Sequence, residues 1–300
     1  MLELLVAAML IQAVAFGWYG VLRLMRSVRR TSLTSAAAWA AWFQVTLTVT
    51  TIATLAKSQV PPGIVDQLWF LTAVSALCPL VAVLGARRGR LLEWSAFIVL
   101  PVIVVLEWPA LAQLTRCWHG QRLDLELPTQ LGYAVVLVMG AGNFVGTRYT
   151  LPAFAFAVCW MTVVFLDHRS IQKLWMLREP AFFVSVAQFC FWRWAFHFAN
   201  QQKLLTNGWT RVSLNFRDHF GVVWSTRVTA RINEVAQRER WPWVLTADGL
   251  EPVSNENQPI GDPEVDPRVD HTFRWLLKPF VDPEWIDERL TASTDHASDG

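Results

Sequence analysis

Residues 92–114 read LEWSAFIVLPVIVVLEWPALAQL, and no charged side chain falls between Glu93 and Glu107. A helix needs roughly 20 mainly apolar residues to cross the hydrocarbon core of a bilayer. Lipid offers the backbone no hydrogen-bond partners, so a run of this length is helical unless it belongs to a closed barrel. Barrel strands alternate apolar and polar side chains, and this run does not. The stretch reads as a membrane helix and sets the pattern for its surroundings.

Five further runs match it: 2–22, 36–56, 67–86, 131–147 and 150–166. A seventh, 181–199, is interrupted by Arg193 and His197. The expected fold is all-α: a polytopic membrane helical bundle over 1–203, with seven crossings favoured and six the alternative. A small α-rich soluble extension is expected over 204–290, and a disordered tail over 291–300. Composition agrees. The chain is 53% hydrophobic and only 17% charged, against roughly 25% charged for a soluble domain.

Charge is divided along the chain. Residues 1–203 hold 16 basic and 8 acidic side chains, and residues 204–300 hold 10 basic and 16 acidic. Short loops rich in Arg and Lys stay on the cytoplasmic side. Arg23, Arg26, Arg29 and Arg30 follow the first run; Arg87, Arg88 and Arg90 follow the third; Arg148 follows the fifth. The opposite loops balance Lys57, Arg116 and Arg122 with Asp66, Asp124 and Glu126. This places the N-terminus outside, in a cell-membrane setting. The first run lacks a preceding basic residue and so reads as a retained helix rather than a cleaved signal. Trp18, Trp39, Trp42 and Trp94 are expected near the inner headgroups, and Trp69, Trp108 and Trp118 near the outer ones. Seven crossings put the C-terminal part in the cytoplasm. With six, 170–203 would lie along the outer surface.

In the C-terminal part, Phe216, Phe220, Val223, Val228, Ile232 and Val235 recur at helical spacing, with Asn215 as the expected N-cap. Arg217, Arg227, Arg231, Arg238 and Arg240 occupy the other side. An extended piece is expected at 241–246, a turn at Asp248-Gly249, a flexible acidic loop over 251–270 and a helix at 271–279. Asp282-Pro283-Glu284 supplies cap, proline and acid for a last helix.

Four residues form the candidate polar site: Glu107, Asn143, Arg193 and His197. Glu107 is a carboxyl within an apolar run, where ionisable groups are costly and often functional. Asn143 follows Gly140 and Gly142, whose spacing to Gly146 is too long for a dinucleotide loop and suits close helix contact instead. Arg193 and His197 lie four apart on one face. Phe191-Trp192-Arg193-Trp194 with His197 resembles the aromatic-Trp-Arg-Trp signature of membrane-bound O-acyltransferases over fewer than ten residues. That family carries further membrane helices and its catalytic histidine downstream, where this chain reads as soluble, so membership is not assigned. Rhodopsin-like chemistry needs a lysine in the last helix, and 181–199 has none.

Cys78, Cys117, Cys159 and Cys190 lack metal or redox spacing. No spacing among Cys117, His119, Asp124, Glu126, Asp167 and His168 matches a metal motif. No cofactor is expected. The expected partners are the lipid bilayer and a protein bound through the C-terminal domain. The acidic loop argues against nucleic acid. Two functions remain: a membrane scaffold or complex subunit whose C-terminal domain binds a partner or the membrane surface, and a membrane-embedded enzyme or transporter acting on a lipid or small solute.

Overall fold

The computed structural model describes residues 2–56, 58–89, 91–165, 208–253 and 266–291. The expected seventh crossing at 181–199, with Arg193 and His197, lies outside them, as does the tail beyond 291.

The described chain is mostly helical. In order come α1 (Leu2–Ser27), α2 (Thr34–Leu55), α3 (Pro62–Leu84), α4 (Leu91–Trp94), α5 (Leu100–Leu111), α6 (Leu114–Trp118), α7 (Leu127–Gly142) and α8 (Thr150–Phe165). One π-helical turn, Ser95–Val99, joins α4 to α5. Pro101 follows it and cannot donate a backbone N–H, so the wider turn absorbs the break. After the undescribed stretch come α9 (Gly208–Arg238), the strands β1 (Trp243–Leu245) and β2 (Leu250–Pro252), α10 (Pro267–Leu277) and α11 (Pro283–Thr291).

Four of these helices are long and apolar enough to cross a membrane: Val6–Ser27, Thr34–Leu55, Pro62–Leu84 and Leu92–Leu111. Leu127–Gly142 and Thr150–Phe165 are apolar but shorter. The bundle is built around α3, which touches α2, α5, α7 and α8. Its surface is apolar and its interior carries polar side chains. Val104, Val105, Leu131, Val135, Val138, Met139 and Phe154 are exposed, while Gln44, Thr50, Thr72, Ser75 and Glu107 are buried. A helix bundle in lipid has no hydrophobic force between its helices and relies on buried hydrogen bonds and small contacts of this kind. Gln44 donates to the Val14 carbonyl (3.1 Å), Thr50 bonds Thr72 (2.7 Å), and the Tyr133 hydroxyl donates to the Ala73 carbonyl (3.3 Å). Gly140 lets α7 close on α3, since a Cβ there would lie 2.8 Å from the Leu80 side chain.

The helices alternate in direction, so the bundle has two ends. The basic end carries loops 28–33, 85–90 and 143–149. The opposite end carries 56–61 and 112–126, tied by an Asp66–Arg122 ion pair (2.8 Å).

Several sequence expectations are corrected. Asn215 is not a cap: it lies inside α9, donating to the Arg211 carbonyl. The apolar period extends back through Trp209 and Val212, both buried, and the helix starts there. Trp69 is not a headgroup residue: it is buried and its indole donates to Thr54 (3.2 Å). Trp108 and Trp118 are exposed near the opposite end. The acidic stretch after the Asp248-Gly249 turn is not all loop: Leu250–Pro252 pairs antiparallel with Trp243–Leu245. Helix α10 starts earlier than 271. Asp266 accepts from the Arg268 N–H at its N-cap and Pro267 follows, the order that favours a helix start.

Candidate functional site

The densest set of polar contacts lies where the C-terminal unit, 208–253 and 266–291, meets the basic end of the bundle. Three backbone bonds stitch the loops together. Ser32 N–H donates to the Phe280 carbonyl (2.7 Å), Asp282 N–H to the Arg30 carbonyl (2.9 Å), and Arg88 N–H to the Pro279 carbonyl (2.8 Å). Thr31 and Val281 form an isolated antiparallel bridge. Beside them run the ion pairs Arg88–Asp282 (2.7 Å) and Arg30–Glu288.

Apolar contact continues across the junction. One cluster joins Val28, Leu33, Val81 and Val83 of the bundle to Trp209, Phe216, Phe220 and Trp285 of the unit. The Phe280 ring fits between Phe216, Phe220 and Trp224 at 4.9–5.5 Å. Helix ends leave carbonyls short of intrahelical partners, and two indoles donate to carbonyls at the end of α3, that of Val83 also accepting from the Ala86 N–H (3.1 Å). Trp94 donates to the Val81 carbonyl (3.0 Å) and Trp224 to that of Val83 (3.2 Å).

Asn143 is the centre of the junction. Helix α9 breaks at Gly221, whose backbone takes φ 78° and ψ 179°, a conformation open to glycine. The break frees backbone groups on both sides, and Asn143 enters it. Its Nδ2 donates to the Phe220 carbonyl (3.2 Å), its Oδ1 accepts from Val223 N–H (3.1 Å), and its carbonyl accepts from Val222 N–H (2.7 Å). One buried amide thus caps the end of one half-helix and the start of the next. A Cβ on Gly221 would sit 2.1 Å from Asn143 Nδ2, so no other side chain fits.

Next to it Arg148 meets Asp218, Nε to Oδ2 at 3.2 Å, and its N–H donates to Oδ1 (3.2 Å). Burial pushes the Asp218 carboxyl up from its ordinary value, and the Arg148 guanidinium opposes that shift. His219 is covered as well. Burial lowers its imidazole from 6.5 to about 4, against a hydrogen bond to the Asn215 carbonyl, with Arg289 and Arg148 lowering it further. Burial also brings the Arg289 guanidinium down to about 10, where it lies 3.7 Å from the Trp285 ring centre. His219 carried no signal in the sequence, and Asp218 read only as an acid in the first turn of a helix capped by Asn215. Their position follows from the break at Gly221, which periodicity does not report.

Glu107 lies elsewhere. It is buried on α5 with no hydrogen-bond partner for Oε1. Its neighbour Leu106 faces Gly132 of α7. At 1.5 Å per residue, Gly132 is about 16 Å along the helix from Asn143. The two described candidates therefore do not converge, while Arg193 and His197 lie outside the described residues. Among the described residues no three His, Cys, Asp or Glu side chains gather as a metal group would require. Cys78, Cys117 and Cys159 are buried free thiols.

The described residues thus form a class recognisable by physics: a helical bundle with an apolar surface, compatible with a multi-pass membrane protein, locked at one end to a charged unit. No family model, no curated protein and no solved structure matches the chain.

Proposed function

We propose that the chain is a seven-crossing membrane protein acting as a scaffold or complex subunit, with the C-terminal unit on the cytoplasmic face as its binding element. Parity supports the count. Helix α8 runs from the basic end, where Arg148 meets Asp218, to the opposite end, where Val164 and Phe165 join the cluster of Leu10, Trp69 and Leu123. Residue 208 begins again at the basic end. The sequence between them holds the apolar run 181–199, long enough to be read as a further crossing. The arginines of loops 28–33 and 85–90 favour the cytoplasm for that end.

The observation that carries the scaffold reading is the use of the polar groups. Asn143 and the Arg148–Asp218 pair hold the unit beneath the bundle, and Glu107 is far from them. The unit's outer side keeps an exposed Trp275, flanked at helical spacing by exposed His271 and Lys278. An exposed tryptophan beside a cation suits a protein partner or a headgroup layer. The test is co-purification from membranes in mild detergent. A defined complex that loses its partner in Trp275→Ala supports the reading; a strictly monomeric protein with no co-purifying chain contradicts it. A membrane enzyme or transporter remains the second reading because Glu107 is a buried carboxyl. It predicts that Glu107→Gln abolishes a transport or turnover signal while leaving the junction intact.

A further inference from the structure

An open groove of about 850 Å³ runs between α7 and α8. Its walls are Val138, Val145, Leu151, Phe154, Val158 and Met161, and its basic-end mouth holds Thr147, Thr150 and Arg148. The volume falls within the range of small-molecule sites, roughly 300–1,000 Å³. From Leu151 to Met161 it extends about 15 Å along α8. The floor is open at Gly142, where a Cβ would meet nothing within 4 Å.

The mouth is electropositive. Arg148 is held in place by Asp218 and by the Tyr149 ring, 4.8 Å from its guanidinium carbon. Arg23 acts on the same Tyr149, Arg217 on the same Asp218, and Arg289 on the adjacent His219. Two guanidiniums, Arg148 and Arg217, thus act on the one carboxylate of Asp218, and Arg23 and Arg289 act on its neighbours. A long apolar channel ending at such a charge excess has the shape and polarity of one ligand class.

We infer that the α7–α8 groove binds an anionic phospholipid, its acyl chain along the groove and its phosphate at Arg148. The inference rests on the membrane reading above, which puts the basic end at headgroup level. Charge complementarity selects this occupant over a second copy of the chain, whose exposed α5 and α7 faces are apolar throughout and would leave the arginine mouth unanswered.

The test is titration of the delipidated full chain in mild detergent, read by native mass spectrometry. The probes are phosphatidylglycerol, phosphatidylcholine and inorganic phosphate. The expected result is about tenfold tighter binding of phosphatidylglycerol than of phosphatidylcholine, equivalent to about 1.4 kcal/mol, and no effect of inorganic phosphate. Val158→Trp, which fills the groove far from the junction, should weaken phosphatidylglycerol at least tenfold, and Arg148→Gln should erase the preference between lipids. Where Arg148→Gln loosens the junction, Val158→Trp still decides. Equal binding of the two lipids, unchanged binding in Val158→Trp, or competition by phosphate alone would overturn the inference. So would a dimer cross-linked through Val158→Cys in place of lipid binding. A protein that washes off membranes in alkaline carbonate would instead refute the membrane reading, and would do so before any lipid is added.

Discussion

On α5 and α7 the exposed positions include Val104, Val105, Leu131, Val135 and Val138, and the buried ones include Glu107 and Gly140. On α9 the exposed positions include Arg227, Arg231, Glu234 and Arg238, and the buried ones are mainly apolar, Phe216, Phe220 and Ile232 among them, with Asp218 paired to Arg148. One chain therefore carries two surfaces of opposite polarity. In water, burying apolar area is the main favourable term, and α9 obeys it. In lipid that term vanishes between helices, and packing plus buried hydrogen bonds replace it. The contrast teaches that the bundle's surface suits an apolar solvent and the unit's surface suits water, and that the two surfaces meet at the junction at the basic end.

The comparison breaks most readily at Gly221. Gly221→Ala should destabilise the docked unit by about 4 kcal/mol, combining strain of about 1–3 kcal/mol with the uncapping of buried backbone groups, at about 1–3 kcal/mol each. Limited proteolysis should then cleave the C-terminal unit while the bundle stays in the membrane. Loss of both regions together would show that they do not behave as differently as their surfaces imply.

A charge on the bundle surface comes next. Val105→Asp should cost about 3 kcal/mol of insertion, seen as a reduced membrane-integrated fraction. Arg231→Asp on α9 should leave that fraction unchanged. Equal effects would erase the distinction between the two surfaces.

Acid should act on the unit alone. The folded imidazole of His219 sits at about 4 and the unfolded one at 6.5, so the folded state resists the proton. Its stabilising contribution is full above pH 6.5 and is lost as pH falls toward 4, about 2 kcal/mol after allowing for the part of the ring that water reaches. The raised Asp218 carboxyl works in the opposite direction near its own range. The difference between wild type and His219→Gln isolates the histidine: the variant should lose the decline between pH 6.5 and 4 in a thermal melt of the unit. The smallest effect belongs to Glu288→Gln. Its pair with Arg30 is about half exposed on both sides, so removal should shift stability by under about 1 kcal/mol.

The apolar runs, and with them the helices, were legible because twenty residues without charge admit few alternatives. The shared end of the arginine-bearing loops was legible too, since alternating helices bring 28–33, 85–90 and 143–149 to one end. The hydrogen-bonding capacity of Asn143 could be read, but its destination could not. Its partners Phe220, Val222 and Val223 lie almost eighty residues away, and the break that admits it depends on one glycine inside an amphipathic pattern. Periodicity through Phe216 and Ile232 is the same whether the helix is continuous or broken. Trp69 was misplaced for a related reason: an indole near a helix end suits the headgroup layer equally well as a hydrogen bond to Thr54 within the bundle. The burial of Glu107 could not be read from its run, which is just as apolar at exposed Val105 and Trp108; which face of α5 meets α3 and α7 decides both its burial and the missing partner of Oε1.

The account rests on the C-terminal unit being locked to the basic end of the bundle. Arg30→Cys with Glu288→Cys, treated in intact membranes with a short bis-maleimide, reads this directly. These two exposed positions form an ion pair across the junction. The account predicts an intramolecular cross-link that keeps the unit attached to the bundle after cleavage within 166–207. Release of the unit after that cleavage, with both cysteines modified singly, would contradict it.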